Sequence, residues 1–299
     1  MVTLDGDVLA RYPRASLYNS PYPAHDAGCA VDLYPDSAAE RSEAAGRASG
    51  ETASSAAGGR AGRARRAPSP VAGEVVETRT VRCPSKPYAA DHDHLVVVDT
   101  GEYLARILHV EPAVEPGDTV DLGGDLGRMV RSGFFAPWVA NHVHLGFRER
   151  DGDAVRASGS LPLDIDAPIE PVSWDGTGEV VETGETYALL DAPEHPTPGD
   201  GLAGVATDGG GVLDGGFPHY EGGGVLGRAS SDEAVSLLGR EVGATTDGRT
   251  VAWRDVTVTV DGGPIHGLSL WLGSDRLGVK LVAPDREFAV GDRVAVAVE

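Results

Sequence analysis

Two histidines one residue apart, His142 and His144, have the clearest capacity for chemistry in this sequence. Because the side chains of a strand alternate between its two faces, both histidines and Arg148 would share one face, while the apolar residues between them share the other. Two imidazoles on one face can bind a metal together, or one can bind it while the other transfers a proton. The pattern at 139–148 therefore predicts a strand with a core face and a second face that is either an ordinary polar surface or a metal site.

His25 and Asp32, near the start of the chain, offer an imidazole and a carboxylate on either side of Gly28. Their offset of seven positions is odd, so a regular strand would place the two side chains on opposite faces. We therefore expect a bulge or a loop at residues 27–29 if the two side chains are to bind one ion.

The elements that must position these residues are short runs rich in β-branched residues, punctuated by 41 glycines and 20 prolines. This pattern is typical of a mainly β protein. Its best helical candidate is Ser231–Leu238, which opens with Ser-Asp-Glu and ends before a glycine. Strands are predicted at 73–81, 94–99, 103–110, 139–148, 249–260, 267–272, 277–282 and 293–298.

We predict two β-rich domains, at residues 18–150 and 151–299, after an N-terminal segment at 1–17. The boundary is placed near 152–160, where the strand pattern gives way to Asp, Gly and Ser. Residues 36–68 consist almost entirely of Ala, Gly, Ser, Glu and Arg. Such a segment cannot bury enough apolar surface to offset its ordering entropy, so it is predicted to be a disordered insertion.

Six features follow one another along residues 18–150 in the order found in lysostaphin-like (LytM-type) zinc endopeptidases, and this half of the chain resembles that family. They are His25 with Asp32, a turn and strand at 69–76, a hairpin ending in His109, a Val-x-x-Gly-x-x-Val turn at 114–120, a glycine-rich segment at 123–133, and the His-x-His strand. The resemblance implies an antiparallel β half-barrel or sandwich of the duplicated-hybrid-motif type. The main departure from the family is the spacing of the first motif, since the family places its aspartate four residues after the first histidine. A smaller one is Val110, where the family usually has leucine.

The resemblance implies that His25, Asp32 and His144 bind zinc, with water as the fourth ligand. His142 and His109 would then be catalytic, one as the general base on the bound water and the other orienting the tetrahedral intermediate. Catalytic zinc keeps three protein ligands and one open position, and an ordinary histidine pKa of about 6.5 suits proton transfer. Cys29 is a conceivable substitute ligand.

Two functions follow from this resemblance. The first is a zinc-dependent endopeptidase or amidase acting on a peptide or a peptidoglycan-like substrate. The alternative is a degenerate, non-catalytic relative that keeps the fold as a binding module. The altered spacing of His25 and Asp32 favours the second, whereas the presence of all five implied site residues favours the first.

The charge of the chain restricts its partners. Asp and Glu number 46 against 25 Lys and Arg, for a net charge of −21, and only Lys86 and Lys280 are lysines. This composition is typical of a salt-adapted protein, in which concentrated cations screen self-repulsion, and it argues against nucleic acid as a partner. No apolar run is long enough for a membrane span, and residues 1–15 lack an apolar signal-peptide core, so a cytoplasmic location is expected. With two cysteines, no disulfide framework is expected.

A second His-x-His motif occurs at Asp91-His92-Asp93-His94, where carboxylates flank the histidines. It could bind a metal. Because it precedes an apolar strand and follows Pro87, we interpret it as an exposed loop.

Overall fold

The computed structural model describes residues 1–35, 66–227 and 233–299. These residues form strands joined by turns, with two one-turn helices. The prediction of a mainly β protein with an antiparallel half-barrel sheet is confirmed. No helix in the described part of the chain is long and apolar enough to cross a membrane.

The strands and helices are numbered in chain order. Those before residue 161 are β1 (Val2–Asp5), α1 (Gly6–Leu9), β2 (Arg14–Ser16), α2 (Pro23–Asp26), β3 (Ala30–Tyr34), β4 (Arg66–Pro68), β5 (Gly73–Arg82), β6 (His92–Asp99), β7 (Tyr103–Leu108), β8 (Val110–Pro112), β9 (Thr119–Val120), β10 (Asp125–Met129) and β11 (Val143–Glu149). Those after it are β12 (Leu163–Asp166), β13 (Ile169–Val172), β14 (Thr177–Thr183), β15 (Tyr187–Leu190), β16 (Leu202–Val205), β17 (Val212–Phe217), β18 (Gly222–Leu226), β19 (Ala234–Leu237), β20 (Arg240–Thr245), β21 (Thr250–Trp253), β22 (Val258–Val260), β23 (Gly263–Pro264), β24 (Gly267–Leu270), β25 (Leu272–Gly273), β26 (Lys280–Val282) and β27 (Arg293–Val298).

Two local predictions differ from the structure. The helix predicted at Ser231–Leu238 is wrong where it is described, because Ala234–Leu237 form β19 and pair with β20. Val235 and Leu237, two residues apart, are both buried, which is the alternation of a strand. Their packing outweighs the local helix propensity. Residues 36–65 of the predicted insertion lie outside the described residues, while its last three residues form β4.

The chain divides into two compact units. The first consists of Met1–Val2 and Asp32–Leu161, and the second of Thr3–Val31 and Pro162–Glu299. The first unit extends past the predicted end at residue 150, because the Leu161 amide donates to the Phe147 carbonyl and Arg148 donates to the Ser160 hydroxyl.

The first unit is built on a sheet of strand order β3-β11-β7-β6-β5-β9 and a smaller sheet of order β4-β10-β8. Strand β7 pairs antiparallel with β11 on one side and with β6 on the other. Residues Leu95–Val98 of β6 are all buried, because this apolar run lies in the middle of the sheet.

Strand β11 has the two faces that its sequence predicts. Val143 and Leu145 are fully buried on the core face, and His144 lies on the other face, opposite Leu108 of β7. The strand begins at Val143, later than the predicted residue 139, so His142 lies one residue before it.

The second unit contains a sheet of order β19-β20-β21-β18-β17-β24-β26-β15-β14-β27-β22-β23 and the strands β13-β16-β25-β2. Its core consists of aliphatic side chains from many strands around Phe217. Strand β17, which crosses this core, also contains the fully buried Asp214.

Candidate metal centre

His25 is placed by a one-turn helix rather than by a strand. Pro23 fits the start of α2 because its fixed φ suits a first helical position and its missing N–H is not needed there. His25 is buried, and its Nδ1 lies 2.6 Å from the Leu17 carbonyl oxygen. A carbonyl can only accept, so Nδ1 carries the proton and the lone pair that could bind a metal is on Nε2.

The turn after α2 explains why the odd offset between His25 and Asp32 does not place their side chains on opposite faces of one strand. Gly28 has a φ of 58°, and a Cβ there would lie 2.6 Å from the Tyr18 hydroxyl and 2.7 Å from Arg249 Nη2. Both the left-handed backbone and the close contacts therefore require glycine. The helix and this turn separate His25 from β3, so strand parity does not govern their relative orientation.

Asp32 and His144 approach each other within the first unit. Asp32 is buried in the middle of β3, and its Oδ1 lies 3.0 Å from His144 Nδ1. The donor atoms of His25, Asp32 and His144 all lie within 4.8 Å of one another. Ligand atoms about 2.1 Å from a tetrahedral zinc are roughly 3.4 Å apart, so the 3.0 Å between Asp32 Oδ1 and His144 Nδ1 is close to the spacing of such a site. The group could hold a metal ion.

His142 lies beside these ligands in an aromatic setting. Its ring stacks on Phe135 at 4.6 Å between centroids and contacts Tyr34 at 5.2 Å. Its Nδ1 donates to the Ala140 carbonyl, and its Nε2 lies 3.4 Å from Asp32 Oδ1. Burial lowers the pKa of His142 to about 3, against the opposing effect of the Asp32 charge. The imidazole is therefore neutral at physiological pH, with its lone pair on Nε2.

His109 occupies a break between two strands rather than the strand predicted at 103–110. Its φ is 70°, and this conformation ends β7 and lets β8 begin at Val110. A left-handed conformation in a residue other than glycine costs roughly 1–3 kcal/mol and is often found at functional sites. Its ring lies 5.0 Å from that of His142 and 5.8 Å from that of His144. The structure thus brings both predicted catalytic histidines together beside a predicted ligand.

Asp93 is the residue of this centre that sequence reasoning missed. The loop predicted at 91–94 is wrong, since β6 begins at His92 and Asp93 is fully buried. Asp93 Oδ2 accepts from His109 Nδ1 at 2.7 Å and from the Ser132 hydroxyl at 2.8 Å, while its Oδ1 accepts from the His94 amide. The sequence does contain a signal for this burial. Asp93 lies two residues before the buried Leu95, so the alternation of the strand places both side chains on the same face.

The carboxylate of Asp93 fixes the tautomer of His109. Because an ionised carboxylate only accepts, His109 Nδ1 carries a proton and Nε2 is the atom available for proton transfer. Burial tends to raise the pKa of Asp93, but the charge of His109 and hydrogen bonds from His109, Ser132 and the His94 amide together lower it to about 2. Asp93 is therefore ionised in the folded protein near neutral pH.

The depressed pKa of Asp93 should appear in the acid stability of the metal-free protein. Relative to the ordinary value of 3.8, a folded-state pKa of about 2 favours the folded state above pH 3.8, and this contribution is lost as the pH falls through 2. The difference in unfolding free energy between wild type and Asp93→Asn should therefore shrink by about 2 kcal/mol between pH 4 and pH 2. Urea titrations at a series of pH values measure it, with the exposed Asp91→Asn as matched control. A difference that does not vary with pH would contradict the ionised state of Asp93.

The fold and the site define an all-β protein with a buried histidine and carboxylate centre that could bind a metal ion. Two family models match nearly the whole chain: the DUF8155 N-terminal domain, of unknown function, over residues 3–165, and the DUF8155 C-terminal domain, also of unknown function, over residues 170–299. The chain belongs to this family. Comparisons with curated proteins and with solved structures gave no match.

Proposed function

We propose that this protein is a zinc-dependent hydrolase that cleaves a peptide or amide bond, as the resemblance to lysostaphin-like peptidases implies. The observation that supports the proposal best is the convergence of the His25, Asp32 and His144 donor atoms within 4.8 Å. Two imidazole nitrogens and one carboxylate oxygen form a ligand set used by catalytic zinc, which leaves one position open.

Bound zinc would polarise the scissile carbonyl and lower the pKa of its water to about 7. The residues around it have complementary properties. His109 is the better candidate for the general base, because Asp93 orients its ring and stabilises the imidazolium that forms when Nε2 takes a proton. The same nitrogen would return that proton to the leaving amine.

The properties of His142 suit a different role from that of the general base His109. Its pKa of about 3 makes it a weak base, but its neutral Nε2 can accept a hydrogen bond from the water or the substrate amide. The rings of Phe135 and Tyr34 against it exclude water from this side of the centre. His142 would therefore orient the reactants while His109 moves the proton.

The substrate class follows from the chemistry of the centre and from charge. A peptide or a peptidoglycan-like substrate is proposed, since both present the amide bonds that such a centre hydrolyses. The net charge of −21 gives no support to nucleic acid as a partner.

Zinc content and hydrolysis test the proposal together. Purified protein in high salt should bind close to one zinc per chain and cleave glycine-containing peptides, and a chelator should abolish cleavage until zinc is added back. Absence of zinc binding at micromolar zinc would overturn the proposal. Zinc binding without hydrolysis of any peptide or peptidoglycan fragment would favour a non-catalytic binding module instead.

A further inference from the structure

Asp214 is a buried carboxylate of the second unit, distant in sequence from the candidate ligands. It lies in β17 with no exposed surface, and it accepts three hydrogen bonds from one short segment. The Ser16 hydroxyl donates to Oδ1 at 2.5 Å, and the Leu17 and Tyr18 amides donate to Oδ2 at 2.6 and 3.3 Å. A fully buried carboxylate is costly unless its oxygens are satisfied, and one segment satisfies both oxygens of Asp214.

The same segment holds His25. The Leu17 amide donates to Asp214, and the Leu17 carbonyl accepts from His25 Nδ1 at 2.6 Å. One peptide residue thus links the carboxylate to the imidazole through two short hydrogen bonds. The position of Leu17 therefore sets the acceptor that orients the His25 ring.

The rest of the second unit leaves this segment little freedom. A Cβ on Gly224 would lie 2.3 Å from the Tyr18 ring, so β18 and the segment are in direct contact. The Arg249 guanidinium lies over the Tyr18 ring, 5.5 Å from its centroid. The Leu163 amide donates to the Gly28 carbonyl at 2.9 Å and holds the far end of the same stretch.

We propose that Asp214 is a positioning residue for the metal ligand His25, acting through Leu17. The inference rests on the proposed metal binding by His25 and assigns a role to residues 162–299, which supply the group that orients a ligand. Partners of metal-bound histidines fix the tautomer and the ring orientation, and their loss typically weakens metal binding 10–100-fold.

An asparagine at position 214 should disturb this arrangement while conserving shape. Ser16, Leu17 and Tyr18 all donate hydrogen bonds to the carboxylate oxygens. One of those oxygens becomes an NH₂ group in asparagine, so either a backbone amide faces another donor or the Ser16 hydroxyl must turn to accept. In both cases the hydrogen bond from Leu17 loses the negative charge that strengthens it. Leu17 is then held less firmly, so its carbonyl no longer fixes a single tautomer of His25.

The test measures zinc affinity of the full chain by competition with a chromophoric chelator. Asp214→Asn should bind zinc 10–100-fold more weakly than wild type yet still reach one zinc per chain at saturation. The exposed Asp285→Asn is the matched control and should keep wild-type affinity. Nitrogen NMR of His25 supplies a second readout, since Asp214→Asn should change the single Nδ1-protonated tautomer to a mixture.

The outcomes separate this inference from the proposed function. Zinc binding absent from wild type would defeat the metal centre itself. Tight binding in wild type and equal binding in a folded Asp214→Asn, with the His25 tautomer unchanged, would overturn only the role of Asp214. If Asp214→Asn does not fold, Asp214→Ser decides by the same two measurements, because its shorter, uncharged side chain removes the carboxylate oxygen that accepts from the Leu17 amide.

Discussion

Replacing His144 with alanine should abolish zinc binding at micromolar zinc and eliminate hydrolysis. The variant retains only His25 and Asp32 of the three donors that lie within 4.8 Å of one another. A zinc site that binds with roughly 10 kcal/mol and loses about 4 kcal/mol with one of its ligands binds roughly 10³-fold more weakly, too weakly to be filled at micromolar zinc. Inductively coupled plasma mass spectrometry of the dialysed protein measures the zinc content directly.

The fold should tolerate this substitution. His144 is itself partly exposed, while Val143 and Leu145 fill the core on the other face of β11. The matched control is His92→Ala, which removes an exposed histidine from the other His-x-His motif. A His144→Ala protein that still bound one zinc with wild-type affinity would show that the ligand set is different.

Asp93→Asn should lower kcat by roughly 10²–10⁴-fold, the usual contribution of a positioned acid–base group, without reducing the zinc content. Asparagine lacks the charge that stabilises an imidazolium at His109. It must also turn its NH₂ group toward either the His94 amide or the side chains of His109 and Ser132, all of which donate to Asp93 in wild type. His109 would then spend much of its time in the wrong tautomer.

Steady-state kinetics on a glycine-containing peptide, with zinc measured on the same sample, tests this expectation. KM should change little, because Asp93 is fully buried and its oxygens are occupied by His109, Ser132 and the His94 amide. Asp91→Asn, two residues away and exposed, should match wild type. A zinc-loaded Asp93→Asn with unchanged kcat would assign proton transfer to another group.

The fold class and the orientation of His144 in the candidate centre could be predicted from sequence, because both depend on local periodicity. Alternation in β11 places Val143 and Leu145 in the core and predicts that His144 lies on the opposite face. Apolar β-branched runs and frequent glycine similarly predict a strand-rich chain. These patterns hold because each strand buries one face whatever its partners are.

The predictions were wrong where contacts with other parts of the chain decide the local structure. Ala234–Leu237 carry local helix signals but form a strand, since β20 pairs with them. The sequence predicts that Asp93 lies in an exposed loop, but hydrogen bonds from His109 and Ser132 stabilise its carboxylate in a buried position.

The amino-acid sequence is sufficient to predict the strand-rich architecture, the two faces of β11 and the residue types that could bind a metal. Which carboxylates support the histidines depends on the tertiary structure. Asp93 and Asp214 reach His109 and Leu17 through contacts between residues 16 and 197 positions apart. Such pairings depend on strand order and on the burial of polar groups, which local periodicity does not encode.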